Sequence, residues 1–112
     1  MQREIINRPA LLASVKKLNK GDYRKSLYLL AVIDHLEGSA TQAELEINTS
    51  INRGVIKGHI KHLEQLSVEI LTTGHGTGTG DITYRLISWG DLINPEAVRM
   101  MLVDLVNGDV NE

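Results

Sequence analysis

The chain of 112 residues contains no cysteine and no phenylalanine. Without thiols it forms no disulfide, thiolate metal site or cysteine nucleophile, which fits a reducing cytoplasm. Apart from Trp89 and three tyrosines the large apolar side chains are aliphatic, so the core must come from Leu, Ile and Val. Long apolar runs are missing as well. The most apolar stretch, residues 27–33, ends at Asp34 and is far too short to span a bilayer. No basic segment leading to an apolar run and a cleavage site opens the chain, so a cytoplasmic protein is expected. The length suits a single domain over residues 1–112 with a modest core.

A strong excess of either charge is also lacking, at a net charge of −2 and a pI near 6.1. Nucleic-acid-binding domains are often basic, so the average speaks mildly against that class. The distribution softens this. Residues 1–25 carry Arg3, Arg8, Lys16, Lys17, Lys20, Arg24 and Lys25 against Glu4 and Asp22. The end of the chain carries Asp91, Glu96, Asp104, Asp109 and Glu112 against Arg99. A molecule with one basic and one acidic face can still dock on phosphates.

The informative stretch is 41–71, TQAELEINTSINRGVIKGHIKHLEQLSVEIL. Thr41 and Glu44 have the spacing of a capping box, each side chain satisfying a free N–H at a helix start. Asn48, Thr49 and Ser50 are poor helix formers, so the chain is expected to break there. Ile51 plugs the turn, and Asn52 or Ser50 caps a second helix whose Ile56, Ile60 and Leu63 share one face. This stretch resembles the winged helix-turn-helix family of DNA-binding domains: the T-Q-A-E-L opening, the apolar residue before the second helix, then Arg53, Ile56, His59-Ile60 and Leu63-Glu64. The resemblance covers roughly residues 24–89. It implies a very short strand just before Thr41, a recognition helix and a hairpin wing. Where the family often has Gly after the first helix, this chain has Ser50, implying a first helix that is shorter or less well packed than usual.

Around that centre, a helix over 9–18 carries Leu11, Leu12, Val15 and Leu18 on one stripe, with Pro9 at its first turn. A helical core spans 23–66. Its first helix, over 23–37, is apolar on nearly all sides, capped by Asp22 and ended by Gly38. Residues 68–72 and 82–88 read as strands of a hairpin over 68–88, joined by the glycine-rich TGHGTGTGD. Asn94 and Pro95 start a last helix over 94–107. The expected fold is mostly α with a small β-hairpin, a winged helix-turn-helix with extra N- and C-terminal helices.

At about 100° per residue, the second helix points Gly54, Gly58, Lys61 and Gln65 away from its apolar face, flanked by Lys57 and His62. Arg53 stands at its N-terminal end. Asn52, Arg53, Lys57, Lys61 and His62 are therefore candidate contacts to double-stranded DNA, with Arg85 and His75 of the hairpin flanking them. The blander alternative is a solvated basic face. Two glycines in one helix each cost about 0.5–1 kcal/mol relative to alanine, so a DNA backbone or a partner protein pressed against them is one reading and drift is the other. The glycine loop leads into a strand and lacks the lysine of a phosphate-binding loop, so it reads as a hairpin tip. Four histidines lack the companions and spacing of a metal site, and no nucleophile motif surrounds a serine. No enzyme activity, metal or cofactor is implied. The last helix has more apolar surface than one packing face needs, with Met100, Met101 and Val103 left wet in a monomer. A homodimer through Leu11, Leu12, Val98, Met101, Leu102 and Leu105 is expected; the alternative is that the terminal helices cover each other. Together these point to a homodimeric transcriptional regulator binding specific duplex sequences, or else to a winged-helix protein-interaction module. No small-molecule effector site is legible.

Overall fold

The computed structural model describes residues 3, 5, 8–19, 22–74 and 81–106, with side chains as far as Val103. Its elements in chain order are α1 (Arg8–Lys16), α2 (Arg24–His35), β1 (Ser39–Thr41), α3 (Gln42–Thr49), α4 (Arg53–Gln65), β2 (Glu69–Thr73), β3 (Thr83–Ser88) and α5 (Pro95–Val106). Among the described residues the fold is thus five helices with a small antiparallel sheet of three strands, in the order β1-β3-β2.

The most apolar segment becomes the axis of the core. Leu29, Leu30, Val32 and Ile33 of α2 are all fully buried, because α3, α4 and α5 pack on it from different sides. Burying each such side chain contributes about 1.5–3 kcal/mol, and truncating one to alanine costs about 2–5 kcal/mol. Asp22 starts the helix by accepting the Arg24 N–H at 2.9 Å. The helix ends where Glu37 and Gly38 turn left-handed, at φ 68° and 86°. The Gly38 N–H then donates back to the Ile33 carbonyl at 2.9 Å, a satisfied C-terminus.

α3 begins with the expected capping box: Thr41 Oγ1 accepts the Glu44 N–H, and Glu44 Oε1 accepts the Thr41 N–H. Its end departs from expectation. The helix runs through Asn48 and Thr49, both fully buried, and breaks only at Ser50, which sits left-handed at φ 61°. Low intrinsic propensity is outweighed by tertiary bonds. Asn48 accepts the Ile5 N–H at 2.9 Å and donates to the Arg3 and Glu44 carbonyls at 3.0 and 2.8 Å. Thr49 Oγ1 donates to the Leu45 carbonyl and accepts the Ile51 N–H, closing the turn. The helix is short, at eight residues, but it is not loosely packed: Leu45, Asn48 and Thr49 are fully buried.

Arg3 reaches across the same region. Its Nε and Nη2 hold both oxygens of Glu44 at 2.8 and 3.0 Å, its backbone N–H adds a third bond, and Nη1 and Nη2 donate to the Leu36 and Ser39 carbonyls. One guanidinium thus joins the α3 cap to the end of α2. Hydrogen-bonded to it, the Glu44 carboxyl is held at about 2 against an ordinary 4.5; burial opposes the shift, and the Thr41 and Arg3 N–H groups reinforce it.

In the sheet, β3 lies between β1 and β2, with Tyr84 opposite both Ala40 and Thr72. Tyr84 is buried, and its hydroxyl accepts from Gln42 Nε2 at 3.0 Å. The side chains of Leu71, Arg85 and Ile87 are exposed on the other face. At α5, Asn94 Oδ1 accepts the Glu96 and Ala97 N–H groups at 3.0 and 3.3 Å. Arg99 pairs with Asp34 of α2 at 2.9 Å and lies over Trp89.

The terminal helices correct one expectation. Leu11, Val98 and Leu102 are buried within the one chain, because α1 and α5 pack against each other and α5 packs on α2. These three side chains therefore present no surface to a second copy. Leu12 and Met101 are half-buried. Leu105 has its side chain outside the described part of the structure, and so lies outside this test.

Candidate functional site

Helix α4 is held by a narrow seam. Ile56, Ile60 and Leu63 are buried at 0, 3 and 0% exposure, and every other residue of the helix reaches solvent in some degree. Its start is fixed by Asn52, whose Oδ1 accepts the Gly54 N–H at 2.7 Å. Asn52 is therefore engaged in capping through its side-chain oxygen, and its amide nitrogen has no hydrogen bond among the described residues. This also accounts for part of Gly54, where a Cβ would stand 3.1 Å from that oxygen. Gly58 has no such reason: a Cβ there would meet nothing within 4 Å.

The seam divides the exposed side of α4 into two flanks. On one, Lys57 and Lys61 project into solvent and make no ion pair among the described residues. Arg53, at the head of the same flank, is not free. Its Nε lies 3.7 Å from Glu46 and its Nη1 3.5 Å from Asp81, while its N–H donates to Glu46 at 3.3 Å. These are loose, half-exposed contacts of the kind worth about 0–1 kcal/mol, so a phosphate can displace them. Asp81 is itself anchored, accepting the Ala43 N–H at 3.0 Å, which fixes the base of β3 against the start of α3. Arg85 is exposed on the outer face of β3. His75 lies outside the described residues.

The other flank carries Val55, His59 and His62 against the N-terminal turn of α2. Ser26, 1% exposed, receives both rings: its Oγ lies 2.8 Å from His59 Nδ1 and 3.1 Å from His62 Nδ1. One hydroxyl proton cannot serve two acceptors, so at least one of the two rings presents an N–H to Ser26 Oγ. Burial, with Lys25 and His62 adding to it, pushes the His59 imidazole below its ordinary 6.5. Tyr23 stands edge-on to the His62 ring, with centroids 6.5 Å apart. His62 is thus bound into this clamp, away from the lysine flank.

Periodicity anticipated the outward placement of Lys57 and Lys61 and the exposure of Arg53. It missed Ser26, the acids beside Arg53 and the recess along the histidine flank, all of which depend on residues distant in sequence. The one sequence signal for the recess was a pair of large apolar residues, Tyr23 just before α2 and Val55 off the apolar seam of α4. Among the described residues, no three or more His, Asp or Glu side chains gather as a metal site, and no helix is long and apolar enough to cross a membrane. No protein-family model, curated protein or solved structure matches the chain.

Proposed function

We propose that this protein is a winged helix-turn-helix transcriptional regulator that binds specific double-stranded DNA sequences through α4. The observation that carries the reading is the lysine flank: Lys57 and Lys61 stand one turn apart, exposed and without an ion-pair partner among the described residues, on a helix backed by a rigid apolar seam. Ammonium groups so placed release counterions when they meet phosphates. Support also comes from the order α2-β1-α3-α4-β2-β3 and the strand order β1-β3-β2, which together agree with a short strand, a bihelical unit and a hairpin wing. Arg53 and Asn52 would work at the N-terminal end of the helix, where base edges are commonly reached. Arg85 and the loop around His75 would flank the adjacent backbone. A homodimer would set two α4 helices about 34 Å apart; among the described side chains of α5, Met100 and Val103, at 48 and 40% exposure, are the exposed apolar ones that could support one.

The test is a gel shift with duplex DNA at low salt. Lys57→Glu with Lys61→Glu should abolish binding while circular dichroism and the melting temperature stay unchanged, because neither side chain packs. Binding that survives both reversals assigns DNA to another surface or to none. A second reading, a winged-helix protein-interaction module, is favoured by Tyr23 and Val55, at 59 and 50% exposure beside the same helix.

A further inference from the structure

The histidine flank of α4 opens on a recess with two lobes of about 400 and 320 Å³, and Lys25, Val55 and His59 line both. The first lobe runs past Tyr23 and Gly58. The second continues beside Leu18, Ile51 and Lys16 at the end of α1. Two properties define what fits. Its walls are substantially aliphatic and aromatic, with Val55 and Tyr23 standing more than half-exposed at the rim or close to it. Its charged groups are lysines, and no Asp or Glu among the described residues lines either lobe, although the chain as a whole is acidic at −2. Gly58 lines the first lobe at a point where a Cβ would meet nothing within 4 Å.

We infer that this recess is a docking groove for an acidic peptide segment of a protein partner, with aliphatic anchors in the lobes and carboxylates on Lys16 and Lys25. This goes beyond the DNA reading and does not depend on it: Lys57, Lys61, Arg53 and Arg85 line neither lobe, and Asn52 alone of the described DNA candidates retained above borders the recess. A phosphate backbone is the poorer fit. It is convex and polar, and would set charged oxygens against the side chains of Leu18, Ile51 and Val55, which offer no hydrogen bonds in return. An amphipathic helix laid in the groove satisfies both properties at once, with apolar side chains three and four apart reaching the lobes.

The experiment is a titration of the ¹⁵N-labelled full chain, followed by amide shifts. The probe is a short synthetic peptide with leucines three and four apart and glutamates elsewhere; the controls are its lysine counterpart and a duplex DNA. The acidic peptide should move Tyr23, Val55, Gly58 and His59, and the lysine peptide should not. Lys16→Glu with Lys25→Glu should weaken the acidic peptide at least about tenfold. Val55→Glu, at an exposed site that leaves the core intact, should do the same, whereas Lys57→Glu with Lys61→Glu should have no effect on it. No shift with the acidic peptide, equal shifts with both peptides, or DNA moving the groove residues in its place would each overturn the inference. DNA shifts confined to Lys57, Lys61 and Arg53 would sustain the DNA reading whatever the peptides do.

Discussion

Replacing Glu44 with glutamine removes one negative charge from the point where four segments meet. Glu44 is 4% exposed and accepts from Arg3 Nε, Nη2 and N–H and from the Thr41 N–H. Its carboxyl stands at about 2 against an ordinary 4.5, and at about 1.36 kcal/mol per unit that difference caps the effect near 3 kcal/mol. Arg3 is 46% exposed at its side chain, so water screens part of the attraction and about 2 kcal/mol is the expected loss. For a domain of this size that lowers the melting temperature by roughly 8–12 °C. The sign of the pH effect follows from the lowered value. Ionised Glu44 stabilises the fold fully above pH 4.5, and the contribution fades as pH falls toward about 2. Urea unfolding of both proteins from neutral to acid pH should therefore show a gap that narrows through this window. A gap below about 0.5 kcal/mol at neutral pH, or one that stays constant into acid, would refute the reasoning.

Three further outcomes are expected. Ser50→Gly should stabilise the chain by about 0.5–1 kcal/mol in urea unfolding, because Ser50 holds φ 61°, where a Cβ is penalised; a loss of stability would mean that the hydroxyl matters more than the backbone. Glu46→Gln should tighten binding to non-specific duplex DNA severalfold by releasing Arg53 from one of its two acids, and unchanged affinity would show that Arg53 never reaches phosphate. Protonation of His59 opposes folding, since its imidazole is pushed below 6.5 by burial; that contribution is present above pH 6.5 and is lost as pH falls below it. His59→Gln should accordingly flatten the fall in stability as pH drops below 6.5, and an identical slope in both proteins would remove His59 as its source.

Local chemistry made much of the fold legible. The all-round apolar pattern of α2, the Thr41–Glu44 box, the Asn94-Pro95 start and the two strand segments flanking the glycine-rich turn all depend on neighbours a few residues away. What stayed hidden depends on distance along the chain. Arg3 counts only as one basic residue until it meets Glu44, 41 positions on. Asn48 and Thr49 look like helix breakers because their propensity is visible, while their partners at Ile5, Arg3 and Leu45 are not. The aliphatic residues of α1 and α5 suggested a dimer because sequence alone cannot show that Leu11, Val98 and Leu102 already have cover. At the site, helical period placed the lysines correctly, whereas Ser26 between two imidazoles needed α2 and α4 side by side.

The salt dependence of duplex DNA affinity tests the central claim most directly. If Lys57 and Lys61 each neutralise a phosphate, removing both charges by substitution to glutamine should lower the slope of log affinity against log salt by about 1.8. A slope that does not change, or no duplex binding by the unaltered chain at low salt, would contradict the assignment of α4 to DNA.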